Sequence, residues 1–335
     1  MIILGIETSC DETSASLVGD GHRILSLVTS TQIDFHRIYG GVVPEIASRL
    51  HAETIREVTR KALEDASADL EEIDAVAATS GPGLLGSLLV GVSFANALAL
   101  SLRKPCMAIN HLEAHIYSAF MEFSEIEPPV VALLVSGGHT AIVFMEDFGR
   151  YRMMGSTLDD AAGEAFDKIA FFLGLGYPGG PAIEKAALKG NRTAFEFPRA
   201  MLRHKRLYDF SFSGLKTSVI NKVRSLAESP ELLPEKVKLD VAASFQEAVC
   251  DALVAKTIAS AEESGVKRVV LTGGVAANLR LREKLGEACE KKEIRLFTPS
   301  MKLCGDNAAM IAGLAFYKRH QALEFIDDVS SVKPI

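Results

Sequence analysis

The feature that most limits the fold of this chain is a pattern that occurs twice, once in each half of its 335 residues. Near the N-terminus, residues 2–7, 14–19 and 23–29 have the composition of strands separated by short turns, which predicts a meander. In the second half, Val130–Val135 and Thr140–Met145 are strands joined by a glycine turn. Because strands and helices then alternate in both halves, we predict a duplicated α/β architecture with a cleft between two lobes.

Helices are predicted where apolar residues recur at helical spacing. The predicted helices cover residues 44–66, 84–102, 159–173, 181–189, 214–227, 235–264, a stretch after Gly274 through Glu290, and about 306–321. The segment 84–102 contains no charged residue, and its length nearly suits a bilayer span. Because Gly91, Ser87 and Asn96 interrupt it, we interpret it as a buried helix of a large α/β core.

Composition excludes several classes of protein. The chain has 36 Lys and Arg against 43 Asp and Glu, a net charge of −7, so it needs a local basic patch to bind nucleic acid and is not expected at a membrane. The five cysteines are scattered singly, which favours a reducing compartment over a disulfide framework. The N-terminus lacks the features of a signal peptide, and a cytoplasmic location is expected.

Two histidines, His111 and His115, form the sharpest local motif. Residues four apart lie on one face of a helix, with Cβ atoms about 5–6 Å apart, so two imidazoles there can hold one metal ion. Glu113 is rotated by about 200° from His111, whereas the zincin motif has its glutamate directly after the first histidine. The pair indicates a metal site and argues against a zincin protease. An amphipathic helix with two exposed histidines is the alternative.

Asp306 is a candidate third ligand for that metal. It follows Cys304 and Gly305 at the predicted start of the last helix. Aspartate also favours the N-cap position of a helix, which is its alternative role. Two histidines and one aspartate would suit iron or zinc and leave coordination positions open for a ligand.

Two glycine turns and one acidic helix face are candidates for ligand binding. Ser136–Gly138 and Thr272–Gly274 expose backbone N–H groups of the kind that cradle phosphate, although turns need glycine in any case. Asp160, Glu164 and Asp167 fall on one helical face. The helix dipole accounts for acidic residues in the first turn, but Asp167 lies two turns in and is a candidate to bind a ligand hydroxyl or amine.

The densest basic segment contains Arg199, Arg203, Lys205 and Arg206. In an acidic protein it is a candidate contact for the phosphates of a nucleic acid. A solvated charged loop explains the same charges equally well.

Taken together, the motifs of this chain resemble one family, the bacterial TsaD proteins, which are tRNA N6-adenosine threonylcarbamoyltransferases. The matching segments run in family order over nearly the whole chain. They are residues 5–13, 40–49, 111–115, 133–140, 159–168, 177–181, 209–216 and 273–278.

The resemblance implies the actin/Hsp70/sugar-kinase fold, in which two RNase-H-like lobes flank a central nucleotide cleft. That expectation agrees with the duplicated strand openings. We expect an N-terminal lobe over residues 1–108, with residues 306–335 packing back on it. We expect the C-terminal lobe, with a helical insertion, over residues 109–305.

The resemblance also implies an activity: transfer of a threonylcarbamoyl group from threonylcarbamoyl-AMP to N6 of the adenosine 3′-adjacent to the anticodon, in tRNAs that read codons beginning with A. It implies one divalent metal ion per subunit, iron or alternatively zinc, held by His111, His115 and Asp306. ATP or ADP would occupy the adenylate site in place of the substrate. The implied contacts for substrate and nucleotide are Leu134, Val135, Ser136, Gly137, Gly138, Asp167, Gly180, Glu184 and Asn278.

Two acidic residues, Asp11 and Glu12, match a pair near the reaction centre of the family. Asp11 is our candidate to accept the proton of the attacking amine. Glu184 stands where the family commonly has aspartate, and its side chain is one methylene longer.

The resemblance implies partners as well. They are tRNA, a TsaB-like paralogue that pairs through the N-terminal lobe, a TsaE-like ATPase, and a functional link to the synthase of threonylcarbamoyl-AMP. Three other functions compete with this hypothesis: a metallopeptidase, a small-molecule kinase or ATPase of the same fold, and a non-catalytic scaffold like the paralogue. The position of Glu113 counts against the first, and the histidine pair counts against the other two.

Overall fold

The computed structural model of this chain describes residues 1–199 and 208–335 and divides into two compact units. The first unit consists of Met1–Ile126 and Pro299–Ile335, and the second consists of Glu127–Thr298.

The first unit is built on a five-stranded sheet with the strand order β3-β2-β1-β4-β5. The first three strands form the antiparallel meander, and β4 and β5 add to it in parallel with β1. The elements of the N-terminal segment are β1 (Ile2–Glu7), β2 (Glu12–Gly19), β3 (Arg23–Thr31), α1 (Ile33–His36), α2 (Pro44–Ala66), β4 (Ala75–Gly81), α3 (Leu85–Leu102), β5 (Cys106–Asn110) and α4 (His111–Glu122).

Helix α3 is the uncharged segment, and by length and composition alone it is the one helix of the described residues that could cross a membrane. One face packs into the core of the first unit through Val92, Ala95 and Ala99. The opposite face is exposed and includes Leu89 and Leu100. The expectation of a helix buried all round is therefore wrong, because α3 covers one side of the sheet and nothing in the described residues covers its outer face.

The second unit repeats the topology, with the sheet order β10-β9-β6-β7-β8. Here β6, β7 and β8 form the antiparallel meander, and β9 and β10 continue the sheet in parallel with β6. The elements are β6 (Val130–Val135), β7 (Thr140–Asp147), β8 (Arg150–Ser156), α5 (Ala162–Phe172), α6 (Gly179–Ala187), α7 (Ser213–Leu226), α8 (Glu235–Ser264), β9 (Arg268–Thr272), α9 (Leu279–Glu290) and β10 (Arg295–Phe297).

Strand β8 was not expected from the sequence, where β7 is followed directly by helical patterns. It is an edge strand, and most of its side chains are exposed or half-buried. A strand of this kind lacks the regular apolar alternation by which strands are recognised. With β8 present, each sheet has five strands in the equivalent order.

Two helices, α10 (Met301–Cys304) and α11 (Ala308–Tyr317), return the chain to the first unit. Helix α11 is almost entirely buried against β1 and α4. A Cβ on Gly5 would lie 2.3 Å from the carbonyl oxygen of Ala308, so the close approach of strand and helix requires glycine there. The unit boundaries differ from those expected, because this packing keeps residues 109–126 and 299–305 with the first unit.

Candidate metal centre and ligand-binding residues

Helix α4 starts without a loop, directly after β5. The side chain of Asn110 caps it by accepting hydrogen bonds from the backbone N–H groups of Leu112 and Glu113, at 2.9 and 3.2 Å. An asparagine at the N-cap satisfies donors that have no partner within the helix. His111 and His115 lie one turn apart on this helix and are both buried. The alternative of two exposed histidines is therefore wrong.

The two histidines and Asp306 converge, although 191 residues separate His115 from Asp306. The Oδ1 atom of Asp306 lies 3.0 Å from His115 Nε2 and 3.6 Å from His111 Nε2. One ligand atom from each of the three residues lies within 4.8 Å of the other two. Two imidazole nitrogens and a carboxylate are a donor set suited to a borderline divalent ion, so the residues present fit a metal such as iron or zinc.

Asn307, not Asp306, caps helix α11. Its side-chain oxygen accepts a hydrogen bond from the backbone N–H of Met310 at 3.0 Å, and the helix begins at Ala308. The alternative role of Asp306 as the cap is therefore wrong. Because the neighbouring residue takes that role, the Asp306 carboxylate is directed at the two histidines.

Glu7 supports the metal centre. It lies in the segment 5–13 that resembles the family, but the sequence had suggested no role for it. Its side chain is fully buried, and its Oε2 lies 3.1 Å from His111 Nδ1. Thr79 donates a second hydrogen bond to the same oxygen. A carboxylate on one ring nitrogen orients a histidine so that its other nitrogen is available to a metal. The available signal was position, since Glu7 ends β1, and ligands bind at the carboxyl ends of parallel strands.

The charges at this centre shift the pKa values of the two histidines in opposite directions. Burial lowers the pKa of His111, but the negative charges of Glu7 and Asp306 outweigh burial and raise it to about 9. Burial, together with the charge of His111, lowers the pKa of His115. Burial raises the pKa of Glu7, but His111 outweighs burial and the pKa is lowered overall. The first unit therefore collects negative charge around two imidazoles, an arrangement that a bound cation would stabilise.

Glu113 belongs to a different contact. Its Oε2 lies 2.5 Å from Lys318 Nζ, and both side chains are mostly buried. The carboxylate is therefore paired with a cation, as expected from its rotation away from the histidine face. A zincin-type base is not present at this position.

Asp11 and Glu12, the candidate acidic pair, lie where the chain turns from β1 into β2. Burial and the nearby charge of Asp306 raise the pKa of Asp11. Burial, with the charges of Asp306, Asp11 and Glu7, raises the pKa of Glu12 to about 8. The negative charge of Asp306 therefore contributes to the raised pKa of both carboxyl groups. A base with a pKa raised toward neutrality is better suited to proton transfer.

In the second unit, the turn after β6 runs from Ser136 to His139. The Ser136 N–H donates to the His139 carbonyl at 2.7 Å, and the His139 N–H donates to Ser136 Oγ at 3.1 Å. A Cβ built on Gly137 or Gly138 would meet open space, so the turn leaves its backbone accessible to a ligand. Leu134 and Val135 lie at the end of β6 with fully buried side chains, so only their backbone can reach a ligand.

Close backbone packing brings α5 to this turn and the start of α6 to α5. A Cβ on Gly163 would lie 2.6 Å from the Ser136 carbonyl oxygen, and one on Gly179 would lie 2.4 Å from Asp167 Cα. The Asp167 carboxylate accepts a hydrogen bond from the Gly179 N–H at 2.6 Å. Around Gly180, a Cβ would again meet open space.

A cavity of about 510 Å³ in the second unit adjoins the remaining candidate residues. Glu184 lines it and accepts a hydrogen bond from the Leu279 N–H at 2.6 Å. Asn278 caps α9 by accepting from the Leu281 N–H, and its amide nitrogen donates to Gln246, which also lines the cavity. The longer side chain of Glu184 therefore still reaches the start of α9.

Of the four basic candidates, only Arg199 lies within the described residues. Its guanidinium group forms a two-nitrogen contact with Asp251, at 2.9 and 2.7 Å. Arg203, Lys205 and Arg206 lie outside the described residues. Arg199 is therefore held in an ion pair with Asp251.

Comparisons with known proteins find one family that matches most of the chain. A family model for TsaD, tRNA N6-adenosine threonylcarbamoyltransferase, matches residues 23–313. The chain is 54% identical over 318 residues to the tRNA N6-adenosine threonylcarbamoyltransferase of Caldicellulosiruptor saccharolyticus, covering 95% of this chain and 93% of that protein. It is 52% identical over 323 residues to the one of Kosmotoga olearia, covering 96% and 95%.

Solved structures of lower sequence identity share the fold. Component A of the (R)-2-hydroxyglutaryl-CoA dehydratase of Acidaminococcus fermentans has a TM-score of 0.57 at 18% identity, over 96% of this chain and 99% of that one. HypF of T. kodakarensis has a TM-score of 0.64 at 16% identity, over 95% and 47%. The expected α/β fold of the actin/Hsp70/sugar-kinase type is confirmed.

Proposed function

Because this chain belongs to the family of tRNA N6-adenosine threonylcarbamoyltransferases and thus modifies tRNA, we propose the following reaction for it. The donor is threonylcarbamoyl-AMP, and the acceptor is N6 of the adenosine 3′-adjacent to the anticodon in tRNAs that read codons beginning with A. A bond forms between N6 and the carbamoyl carbon, the bond from that carbon to the phosphate oxygen breaks, N6 loses one proton, and AMP leaves.

The observation that carries the proposal is the convergence of His111, His115 and Asp306 beside the buried Glu7. These three residues would hold one divalent ion, iron or alternatively zinc, and Glu7 would orient His111 through Nδ1. When bound, such an ion supplies positive charge that stabilises negative charge developing on substrate oxygen atoms. The scaffold and kinase alternatives do not account for this donor set.

Asp11 accepts the proton that N6 loses. An aromatic amine is a poor nucleophile, so it needs both positioning and removal of its proton as it attacks. The raised pKa of Asp11 supports this role. Asp11→Asn is expected to lower the transfer rate at least tenfold while the affinity for the adenylate stays within threefold of wild type. An unchanged transfer rate would show that another group accepts the proton.

The second unit binds the adenylate. The open backbone of Gly137 and Gly138 supplies fixed N–H donors for the phosphate, and Asp167 and Gly180 contact the remainder of the nucleotide. Glu184 and Asn278 adjoin the cavity of about 510 Å³, a volume within the range of small-molecule sites. ATP or ADP would occupy the same residues in place of the substrate.

The segment of Arg199, Arg203, Lys205 and Arg206 contacts the tRNA phosphates. The target adenosine lies in a single-stranded loop, so exposing it costs less than extracting it from a duplex. The exposed uncharged face of α3 supports pairing with a TsaB-like paralogue through the first unit. A TsaE-like ATPase and the synthase of threonylcarbamoyl-AMP complete the system, which operates in the cytoplasm.

One reconstitution tests the proposal. The chain and its partner proteins are incubated with threonine, bicarbonate, ATP, the adenylate-forming enzyme and unmodified tRNA. The tRNA is then digested to nucleosides, and their masses are measured by mass spectrometry. Wild type should add one threonylcarbamoyl group to adenosine, and His115→Ala should not. The matched control is His22→Ala, since His22 is an exposed histidine of the same unit. A wild-type chain that leaves the tRNA unmodified would refute the proposed reaction.

A further inference from the structure

A buried row of polar side chains in the first unit belongs neither to the candidate metal centre nor to the proposed reaction. It consists of Gln32, which precedes α1, His36, which ends α1, and His51, on the second turn of α2. Their exposed fractions are 4%, 0% and 0%. Buried polar groups are stabilising only when they are hydrogen-bonded, so the hydrogen-bond partners of these three side chains indicate their role.

The backbone groups at the two ends of this row of side chains fix the direction of its hydrogen bonds. The backbone N–H of Val43 can only donate, so it makes His36 Nδ1 an acceptor, at 3.3 Å. His36 Nε2 then carries the hydrogen and donates to Gln32 Oε1 at 3.2 Å. His51 Nδ1 is an acceptor that lies 3.3 Å from the Gln32 amide nitrogen and 2.8 Å from Thr13 Oγ1. His51 Nε2 donates to the carbonyl of Cys10 at 2.9 Å. In both histidines, Nδ1 is therefore the acceptor and Nε2 carries the hydrogen.

The row of hydrogen-bonded side chains ends at the backbone next to Asp11. The carbonyl of Cys10 precedes Asp11 and is held by His51, while the carbonyl of Asp11 itself accepts a hydrogen bond from the Gln32 backbone N–H at 3.1 Å. Both carbonyls next to the Asp11 side chain are thus fixed by the same group of residues. A turn between two strands has few other restraints on its backbone.

We propose that Gln32, His36 and His51 are positioning residues, which hold the turn of Asp11 and Glu12 in the conformation needed for proton transfer. The catalytic meaning of this inference rests on the proposed function, but the restraint on the turn does not. Buried polar networks of this kind gain their effect by fixing one conformation, since a misplaced partner leaves buried groups unsatisfied.

Two substitutions of His51 distinguish the roles of its two ring nitrogens. The amide nitrogen of glutamine reaches about as far as Nε2, so His51→Gln retains the bond to the Cys10 carbonyl. The amide of asparagine reaches only as far as Nδ1, so His51→Asn removes that bond while staying polar. Thr59→Val is the matched control, because Thr59 is buried on the same helix and bonds only to the carbonyl of Ile55 in the described residues.

Two readouts are measured for each variant. The first is backbone amide hydrogen exchange of residues 8–14 by mass spectrometry, and the second is kcat and KM for the transfer reaction. His51→Asn should exchange these amides at least tenfold faster and lose at least tenfold in kcat, with KM for tRNA within threefold of wild type. His51→Gln and Thr59→Val should stay within threefold of wild type in both readouts.

The inference is overturned if His51→Asn and His51→Gln exchange alike, because a merely structural effect would not distinguish the two nitrogens. It is overturned equally if His51→Asn exchanges as wild type does. If wild type transfers no threonylcarbamoyl group, the proposed function fails, and the exchange comparison still decides the role of His51. Should His51→Asn not unfold cooperatively, Gln32→Met removes two links of the row, and unchanged exchange of residues 8–14 in it would also refute the proposal.

Discussion

The buried carboxylate of Glu7 offers a direct test of the metal centre. Its side chain is fully buried, and Oε2 lies 3.1 Å from the Nδ1 atom of His111. Glu7→Gln keeps the size of the side chain and removes its charge. We expect this substitution to weaken the binding of Zn²⁺, because the carboxylate orients His111 and increases the basicity of the nitrogen that faces the metal.

The size of the effect depends on pH, because the same charge also favours a competing proton. Loss of a supporting carboxylate costs about 10–100-fold in metal affinity, or about 1.4–2.7 kcal/mol. Glu7 and Asp306 raise the pKa of His111 to about 9, so below that pH a metal must displace a proton. Wild-type affinity should therefore rise about tenfold per pH unit between pH 7 and 9. In Glu7→Gln the pKa of His111 falls, so affinity should rise less steeply.

Zn²⁺ affinity measured by competition with a chelator at about pH 7.0 and 8.5 tests both parts of this prediction. Glu7→Gln should bind Zn²⁺ more weakly than wild type at the higher pH, and the difference should be smaller at the lower pH. Glu45→Gln is the control, because Glu45 is an exposed glutamate of the same unit. Equal affinities and equal pH slopes for Glu7→Gln and wild type would show that the carboxylate does not support a metal ligand.

Three other substitutions have defined outcomes. Asn307→Ala removes the cap of α11 and should lower the free energy of unfolding by about 1 kcal/mol in denaturant titrations, and an unchanged free energy would show that the cap does not stabilise the helix. Gly5→Ala places a methyl group against the Ala308 carbonyl and should cost roughly 1–3 kcal/mol by the same measurement; a smaller cost would mean that α11 shifts freely. Charge reversal at Arg203 and Lys205 should weaken tRNA binding and reduce its salt slope by about 1 for each phosphate that is no longer neutralised, and an unchanged slope would reject this binding role.

Local sequence signals were enough to predict most of the secondary structure. The helix at Pro44–Ala66 and the strand at Val130–Val135 have the predicted bounds, because proline at a helix start and short apolar runs act through neighbouring residues alone. The strand β8 could not be recognised in this way, since an exposed edge strand buries too few side chains to show a pattern. The spacing of His111 and His115 likewise follows from helix geometry.

Other features needed contacts that no local pattern contains. Asp306 and Asn307 are adjacent and both suited to cap a helix, and only the packing of α11 on β1 assigns the cap to Asn307 and directs Asp306 at the histidines. The role of Glu7 depends on parallel strands that bring the ends of β1 and β5 to one edge of a sheet. The sequence by itself determined the elements and the types of ligand, because these follow from residue chemistry and spacing. The tertiary structure decided which side chains meet, because burial and hydrogen bonds join residues that are distant along the chain.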